Sequence, residues 1–225
     1  MKRILPYLLL CIAGFVVSCN DDDNNTTPTG LLYSYFPTNV GHEIIYDVSL
    51  ITKDAFSGQH DTDIYQMKEV VESVFIDDQN RPTQRLERYR RNTPNDAWVI
   101  SDVWTANRTS TRAEKKEENI PYVKLVFPIK NNGSWHGNIL NTLEEKEYEY
   151  ENLHEYDVIG GIEFDSTLTV LQSDWEDPYT REYEIEKYAT GVGLIYKEDI
   201  FIKRDLGGGI EEQRLYIETI SSWSN

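Results

Sequence analysis

The sequence predicts an all-β fold: a single antiparallel, strongly curved sheet or open half-barrel of about ten strands, with little helix. Three observations carry this expectation. Most segments alternate apolar and polar residues with period two and are bounded by turn residues. No strand–helix–strand alternation appears. The chain is rich in rings, with 15 Tyr, 5 Trp and 7 Phe, which pack well on a pleated surface.

Tyr35 to Gly41 reads as a lead-in loop. A first strand carries Ile44, Tyr46, Val48 and Leu50 on one face. Ile64 to Ile76 is a longer strand rich in Val and Ile, and Thr83 to Arg91 returns after the turn at residues 77–82. Thr93-Pro94-Asn95-Asp96 is a turn before a strand over Ala97 to Thr105. Arg112 to Asn119 is a charge run without an apolar stripe, expected as a solvated loop or a single helical turn. Tyr122 to Ile129 is a strand closed by Asn131-Asn132-Gly133. Lys146 to Val158 alternates Glu with Tyr and reads as strand, with helix as the alternative because residues 143–152 are Glu-rich. After Gly160-Gly161 come strands over Ile162 to Gln172, Arg181 to Ala189 and Leu194 to Arg204. A glycine-rich loop at residues 206–209 joins the last of these to Ile210 to Ile220, glycine supplying the positive φ that such a loop needs.

The first thirty residues have a different character. Lys2 and Arg3 precede an apolar stretch from Ile4 to Val17. That stretch is short of the roughly 20 residues of a stable span and suits the core of a signal peptide. It ends in Val16-Val17-Ser18-Cys19, which resembles the lipobox of bacterial lipoproteins. The resemblance implies cleavage before Cys19 and acylation of its thiol. Residues 20–30 lack any apolar side chain and read as a disordered tether. Asp21, Asp22 and Asp23 resemble the export signal of Bacteroidota-type lipoproteins, which implies display on the cell surface; the periplasmic face of the outer membrane is the alternative. The expected division is therefore a signal peptide over 1–18, a tether over 19–30 and one β-domain over 31–225.

Cys11 and Cys19 are the sequence's only cysteines, so no disulfide is expected in the mature domain. Without Lys2 and Arg3 the chain carries 20 basic against 39 acidic side chains. Such a protein is repelled by phosphate backbones, and nucleic acid is excluded as an expected partner.

Three segments are similar to patterns that recur in a group of uncharacterised Bacteroidota lipoproteins: Tyr35-Phe36-Pro37 to Gly41; Phe127-Pro128 to Trp135-His136-Gly137-Asn138; and Tyr188 through Glu198, reading YATGVGLIYKE. The resemblance implies a lipid-anchored location and an open half-barrel, and no chemistry.

Catalytic motifs fail on inspection. His42-Glu43 and His154-Glu155 begin like a zinc-protease HExxH, but neither has the second His, and both lie in segments read as strand. Asp21-x-Asp23-x-Asn25 starts like a calcium loop but lacks its Gly and its bidentate Glu. Gly191-Val192-Gly193 lacks the third Gly of a dinucleotide loop. No metal or cofactor site and no enzymatic activity is expected. One cluster does suggest binding. In strand register Trp98, Ile100, Asp102 and Trp104 share a face, while Ala97, Val99, Ser101 and Val103 form a small aliphatic face suited to a core. Two Trp with a carboxylate between them, Trp98, Asp102 and Trp104, suit a ligand-lining or sugar-stacking face, although packing inside a curved sheet is the favoured reading of the two Trp. The expected function is a non-catalytic ligand-binding or carrier module for an apolar or glycan ligand, held on the outer membrane by lipid. The alternative is a structural or assembly lipoprotein that binds protein partners alone.

Overall fold

The computed structural model describes residues 30–225 as one antiparallel sheet of twelve strands. Cys11, Cys19 and the run Asp21, Asp22, Asp23 lie outside the described residues. The strands are β1 (Glu43–Asp54), β2 (Gln59–Ile76), β3 (Pro82–Arg91), β4 (Val99–Arg108), β5 (Arg112–Glu117), β6 (Ile120–Val126), β7 (Ser134–His136), β8 (Glu147–Ile159), β9 (Ile162–Glu176), β10 (Thr180–Ala189), β11 (Gly193–Arg204) and β12 (Ile210–Ser224). Their order in the sheet is β6-β5-β4-β3-β2-β1-β12-β11-β10-β9-β8-β7. Every neighbour is thus also a neighbour in sequence, except that β1 lies beside β12. The sheet is an up-and-down meander that curls until its two edges, β6 and β7, approach each other.

The seam between those edges is made by few contacts. The Val123 amide donates to the Gly137 carbonyl at 2.9 Å, and the Trp135 indole N–H donates to the Val123 carbonyl at 2.9 Å. The Tyr150 hydroxyl donates to the Val126 carbonyl and accepts from its amide. Gly137 permits this approach because a Cβ there would stand 2.4 Å from the ring of Tyr148. The sheet is therefore a nearly closed barrel rather than a half-barrel, with two strands more than the roughly ten expected.

One end of the barrel is filled. Tyr35, wholly buried at the end of the 3-10 turn Tyr33–Tyr35, packs among Leu125, Phe127, Tyr150, Leu168 and Tyr188. Arg108 holds this lead-in segment by donating to the carbonyls of Tyr33 and Phe36. The tip of the β8–β9 hairpin folds over the same end. Asn152 and His154 have positive φ, the β8–β9 register slips on either side of Glu155, and the hairpin bends there. Its turn then reaches β12, where a Cβ on Gly160 would lie 2.1 Å from the Ile220 carbonyl oxygen.

Toward the other end the lumen opens. Along β12 the inward positions run from Ile220 (1% exposed) and Glu218 (3%) to Tyr216, half-buried, and Arg214, with 47% of its side chain exposed.

Several expectations change. Arg112 to Asn119 is not a solvated loop: Arg112–Glu117 is β5, with Ala113, Glu114 and Lys115 buried. Its charges have partners on distant strands, which a local pattern does not show. The strand expected over Lys146 to Val158 does hold: residues 147–159 are strand, and the described residues contain no α-helix. The small aliphatic face of β4 is not core, since Ala97 and Ser101 are exposed, Val99 is 66% exposed and Val103 48%.

The turn geometry gives a test. In Gly160→Ala the new methyl clashes with the backbone of β12 and a β-carbon is forced to positive φ. A loss on the order of 2–3 kcal/mol is expected by urea unfolding. Gly161→Ala, where a Cβ meets nothing within 4 Å, should cost less than Gly160→Ala.

Candidate binding cavity

A barrel of eight strands is just filled by its inward side chains, and wider ones leave a lumen. Here long charged and aromatic side chains cross the lumen, and a cavity of about 370 Å³ remains among them. The apolar part of its lining includes Ile44, Tyr46, Met67 and Leu86. The polar part is built of ion pairs.

The deepest pairs centre on Lys124 of β6. Its ammonium lies 2.6 Å from Glu186 on β10 and 3.1 Å from Glu117 on β5. Lys197 on β11 stands 3.9 Å from Glu117 and 3.8 Å from Glu186. Strands β5 and β11 face each other across the ring, so these side chains tie opposite walls. The Tyr188 hydroxyl donates to the second oxygen of Glu186 at 2.5 Å. A second group joins β2, β3, β5 and β12. Lys115 donates to both oxygens of Glu69 at 2.8 Å, and the Tyr216 hydroxyl donates to Glu218 at 2.8 Å. Arg88 lies between these two carboxylates and stacks on Trp104, its guanidinium carbon 3.7 Å from the ring centroid.

Charge sets the titration. Burial works to neutralise Lys124, but the carboxylates of Glu117 and Glu186 outweigh it and hold the ammonium well above its ordinary range. Burial likewise works to protonate Glu117 and Glu186, and Lys124 followed by Lys197 outweighs it, so both acids titrate below the usual glutamate range. Burial first, and then the adjacent carboxylate, raises the phenols of Tyr188 (beside Glu186) and Tyr216 (beside Glu218). The lining carries five basic side chains, Arg88, Lys115, Lys124, Lys197 and Arg214, and six acidic ones, Glu69, Asp102, Glu117, Glu118, Glu186 and Glu218.

The structure divides the cluster proposed from sequence. Arg88 pairs with Asp102 and Tyr89 with Ile100, so Ser101 is an extra residue in β4, a β-bulge. A one-residue slip exchanges the faces of a strand. Asp102 and Trp104 consequently line the cavity, while Trp98 lies outside it, with Lys68 and Arg91 against its ring. Trp98 and Trp104 do not share a face. Trp104 is also not an open stacking platform, because Arg88 covers it and Lys115 stands 5.2 Å from its centroid. Of the two His-Glu starts, His42 is buried beside the plug with Nε2 2.8 Å from the Val192 carbonyl, and His154 sits at the hairpin bend, 2.9 Å from the Ser166 hydroxyl.

Sequence reasoning missed the ion-pair residues. The available signal was charge where a strand's pattern calls for an apolar side chain. Lys124 sits within Val123-Lys124-Leu125, Glu186 after Ile185, and Glu218 between Ile217 and Thr219.

Fold and cavity together define a class: a twelve-stranded up-and-down barrel, plugged at one end, with a lumen lined by ion pairs. No protein-family model matches the chain, and no curated protein matches it. A crystal structure of a predicted lipoprotein from Parabacteroides distasonis ATCC 8503 is similar at 13% sequence identity and a TM-score of 0.38, covering 84% of this chain and 98% of that one. A likeness at that score assigns neither a ligand nor an activity to this chain.

Two outcomes test the ion pairs. A carboxylate with a depressed folded pKa contributes stability above its unfolded pKa and loses it as pH falls through the folded value. A lysine with a raised folded pKa contributes below its unfolded value and loses it as pH rises through the folded one. With ordinary values of 4.5 for Glu and 10.5 for Lys, the network is fully stabilising between those limits. The melting temperature should be nearly flat from about pH 5 to pH 10 and fall on both sides. Lys124→Met leaves Glu117 and Glu186 buried with only the more distant Lys197. It should cost about 3–5 kcal/mol at pH 7 by urea unfolding, with the variant's optimum displaced to lower pH, whereas adding Glu186→Leu should recover part of the loss.

Proposed function

We propose that this chain is a lipid-anchored, non-catalytic binding protein whose lumen receives one small, neutral, hydroxyl-rich ligand, a glycan unit rather than an apolar chain. The observation that supports this most is the ionic lining of the cavity. An alkyl ligand would strip water from the charged lining without replacing its hydrogen bonds, which is costly. A sugar hydroxyl both donates and accepts, so it can satisfy a cation and a carboxylate at once. The ring's C–H surface suits Tyr46, Met67 and Leu86, and about 370 Å³ lies within the range of small-molecule sites.

Anchoring rests on the sequence: the lipobox ending at Cys19 and the acidic run Asp21 to Asp23. The plug supports an orientation. The chain reaches the barrel through residues 30–35, at the filled end, so an anchor attached there holds that end toward the membrane and turns the lumen's open end away. Such a barrel would take its ligand from the medium it faces, and the acidic run favours the outside of the cell over the periplasm.

The anchor is tested by labelled palmitate. Cys19→Ala should abolish incorporation and move the protein to the soluble fraction; unchanged labelling would end the lipoprotein reading. Surface display predicts that protease added to intact cells removes the wild-type protein, and that replacing Asp21, Asp22 and Asp23 with Ala protects it. For the ligand, native mass spectra of the chain released from membranes should show an added mass that glycosidase treatment or denaturation removes. An added fatty-acid mass would favour an apolar cargo instead. A specific protein partner with no small ligand would favour the assembly reading.

A further inference from the structure

We propose that Arg88 is the residue that reads the ligand, its guanidinium edge donating to a hydroxyl or carbonyl oxygen of a neutral sugar, with Gln84 making a second contact to the same molecule. This rests on the glycan reading and deepens it.

Arg88 is 7% exposed and lines the cavity, yet its side chain makes no hydrogen bond among the described residues. Glu69 stands 3.4 Å from its Nε and Glu218 3.7 Å from its nearer terminal nitrogen. The first contact is too poorly aligned and the second too long to be a hydrogen bond. Nε is buried, and no described residue accepts from it. The two carboxylates spend their short contacts elsewhere: Glu69 takes both of its from Lys115 at 2.8 Å, and Glu218 takes one from the Tyr216 hydroxyl at 2.8 Å. Arg88 is thus compensated in charge while its donors stand idle.

That separation selects the ligand. A buried guanidinium with free donors calls for acceptor oxygens. An anionic acceptor would meet Glu69 and Glu218, both within 4 Å of the same group. A neutral oxygen meets no such repulsion. Trp104 fixes the plane of the fork at 3.7 Å, so the guanidinium hydrogen-bonds through its edge. Trp104 is in this sense a positioning residue, and its indole N–H is committed to Glu118 at 3.1 Å.

Gln84 supplies the complement. It is 6% exposed, lines the same cavity, and its Oε1 has no partner among the described residues. Gln84, Leu86 and Arg88 alternate along β3 and face inward together. The backbone span from 84 to 88 is about 13 Å, which long side chains at both ends shorten to the reach of one or two sugar rings. A hydroxylated ring lying on Leu86 would present an edge to each.

The test uses the full-length lipidated protein in mild detergent and calorimetric titration with five probes: galactose, N-acetylglucosamine and maltose as neutral sugars, glucuronate as the anion and decanoate as the apolar chain. At least one neutral sugar should bind, and bind more tightly than glucuronate. Arg88→Lys keeps the charge and the balance with Glu69 and Glu218 but loses the planar fork. It should melt within a few degrees of wild type and bind the same sugar at least tenfold more weakly. Gln84→Leu should also weaken that sugar with little change in melting. Should Arg88→Lys fold normally and bind as wild type does, Arg88 is not the reader, while the glycan reading stands. A wild type that prefers glucuronate overturns the neutral-ligand argument, and one that takes decanoate alone, or none of the five, overturns both.

Discussion

The constraint that orders this molecule is the width of its lumen. A nearly closed ring of twelve strands is too wide for Leu, Ile and Val from opposite walls to meet, so a purely apolar interior would leave a void. The chain instead spans the gap with its longest side chains. Lys124, Lys197, Glu117 and Glu186 meet in the middle, and each arrives from a different strand. Their desolvation is offset only when all four are in place, since any one of them alone would be a buried, unpaired charge. Both walls must therefore be formed before either is comfortable. The network acts less as a source of net stability than as a device that fixes which strands face each other.

The plug depends on the same geometry. Charged side chains span the middle of the barrel, but at the end nearest the chain's lead-in the walls present Leu125, Leu168, Val170 and the rings of Tyr150 and Tyr188. Those surfaces need an apolar partner, and Tyr35 supplies it together with Phe36 and Tyr33. Tyr35 is not left polar and idle there, for its hydroxyl lies 2.9 Å from Ser166 and 3.3 Å from His154. His154 can take that place because β8 bends in left-handed backbone at Asn152 and at His154 itself. The bend that brings the hairpin over the end and the plug that fills it are one arrangement. Its result is an asymmetric barrel, apolar and filled at one end, ionic in the middle and open at the other.

How much of this was legible in the sequence depended on how local the cause was. The strands whose inward face is apolar, such as Ile44-Tyr46-Val48, announced themselves by alternation. The Glu–Tyr alternation of residues 147–151 decided correctly between strand and helix because period two is a backbone property that the charge content does not erase. β5 failed for the opposite reason. Its inward residues are Ala113, Lys115 and Glu117, and the partners that make them interior, Glu69 and Lys197, lie 46 and 80 positions away. The Trp98–Trp104 face failed over one residue. The bulge at Ser101 has no strong local signature, yet it moves Trp98 to the outside and leaves Trp104 within. The plug was visible as a segment and invisible as a plug, because nothing near Tyr35 in sequence says what it will fill.

The same distinction between charge and hydrogen bonding that explains the walls also separates two kinds of residue within them. Lys124 and Lys115 are satisfied in both senses, with short contacts to carboxylates that compensate them. Their role is complete within the protein. Arg88 is satisfied in charge alone, and Gln84, neutral, is left with an idle acceptor. A fold under selection for stability alone would have little reason to bury a guanidinium on an indole and leave its donors unused, since a Met or Leu at position 88 would pack against Trp104 without the desolvation. What such a group retains is a capacity for an oxygen that the chain itself does not provide. The residues that hold the barrel together are those whose bonds close; those whose bonds do not are the ones left free to meet a ligand.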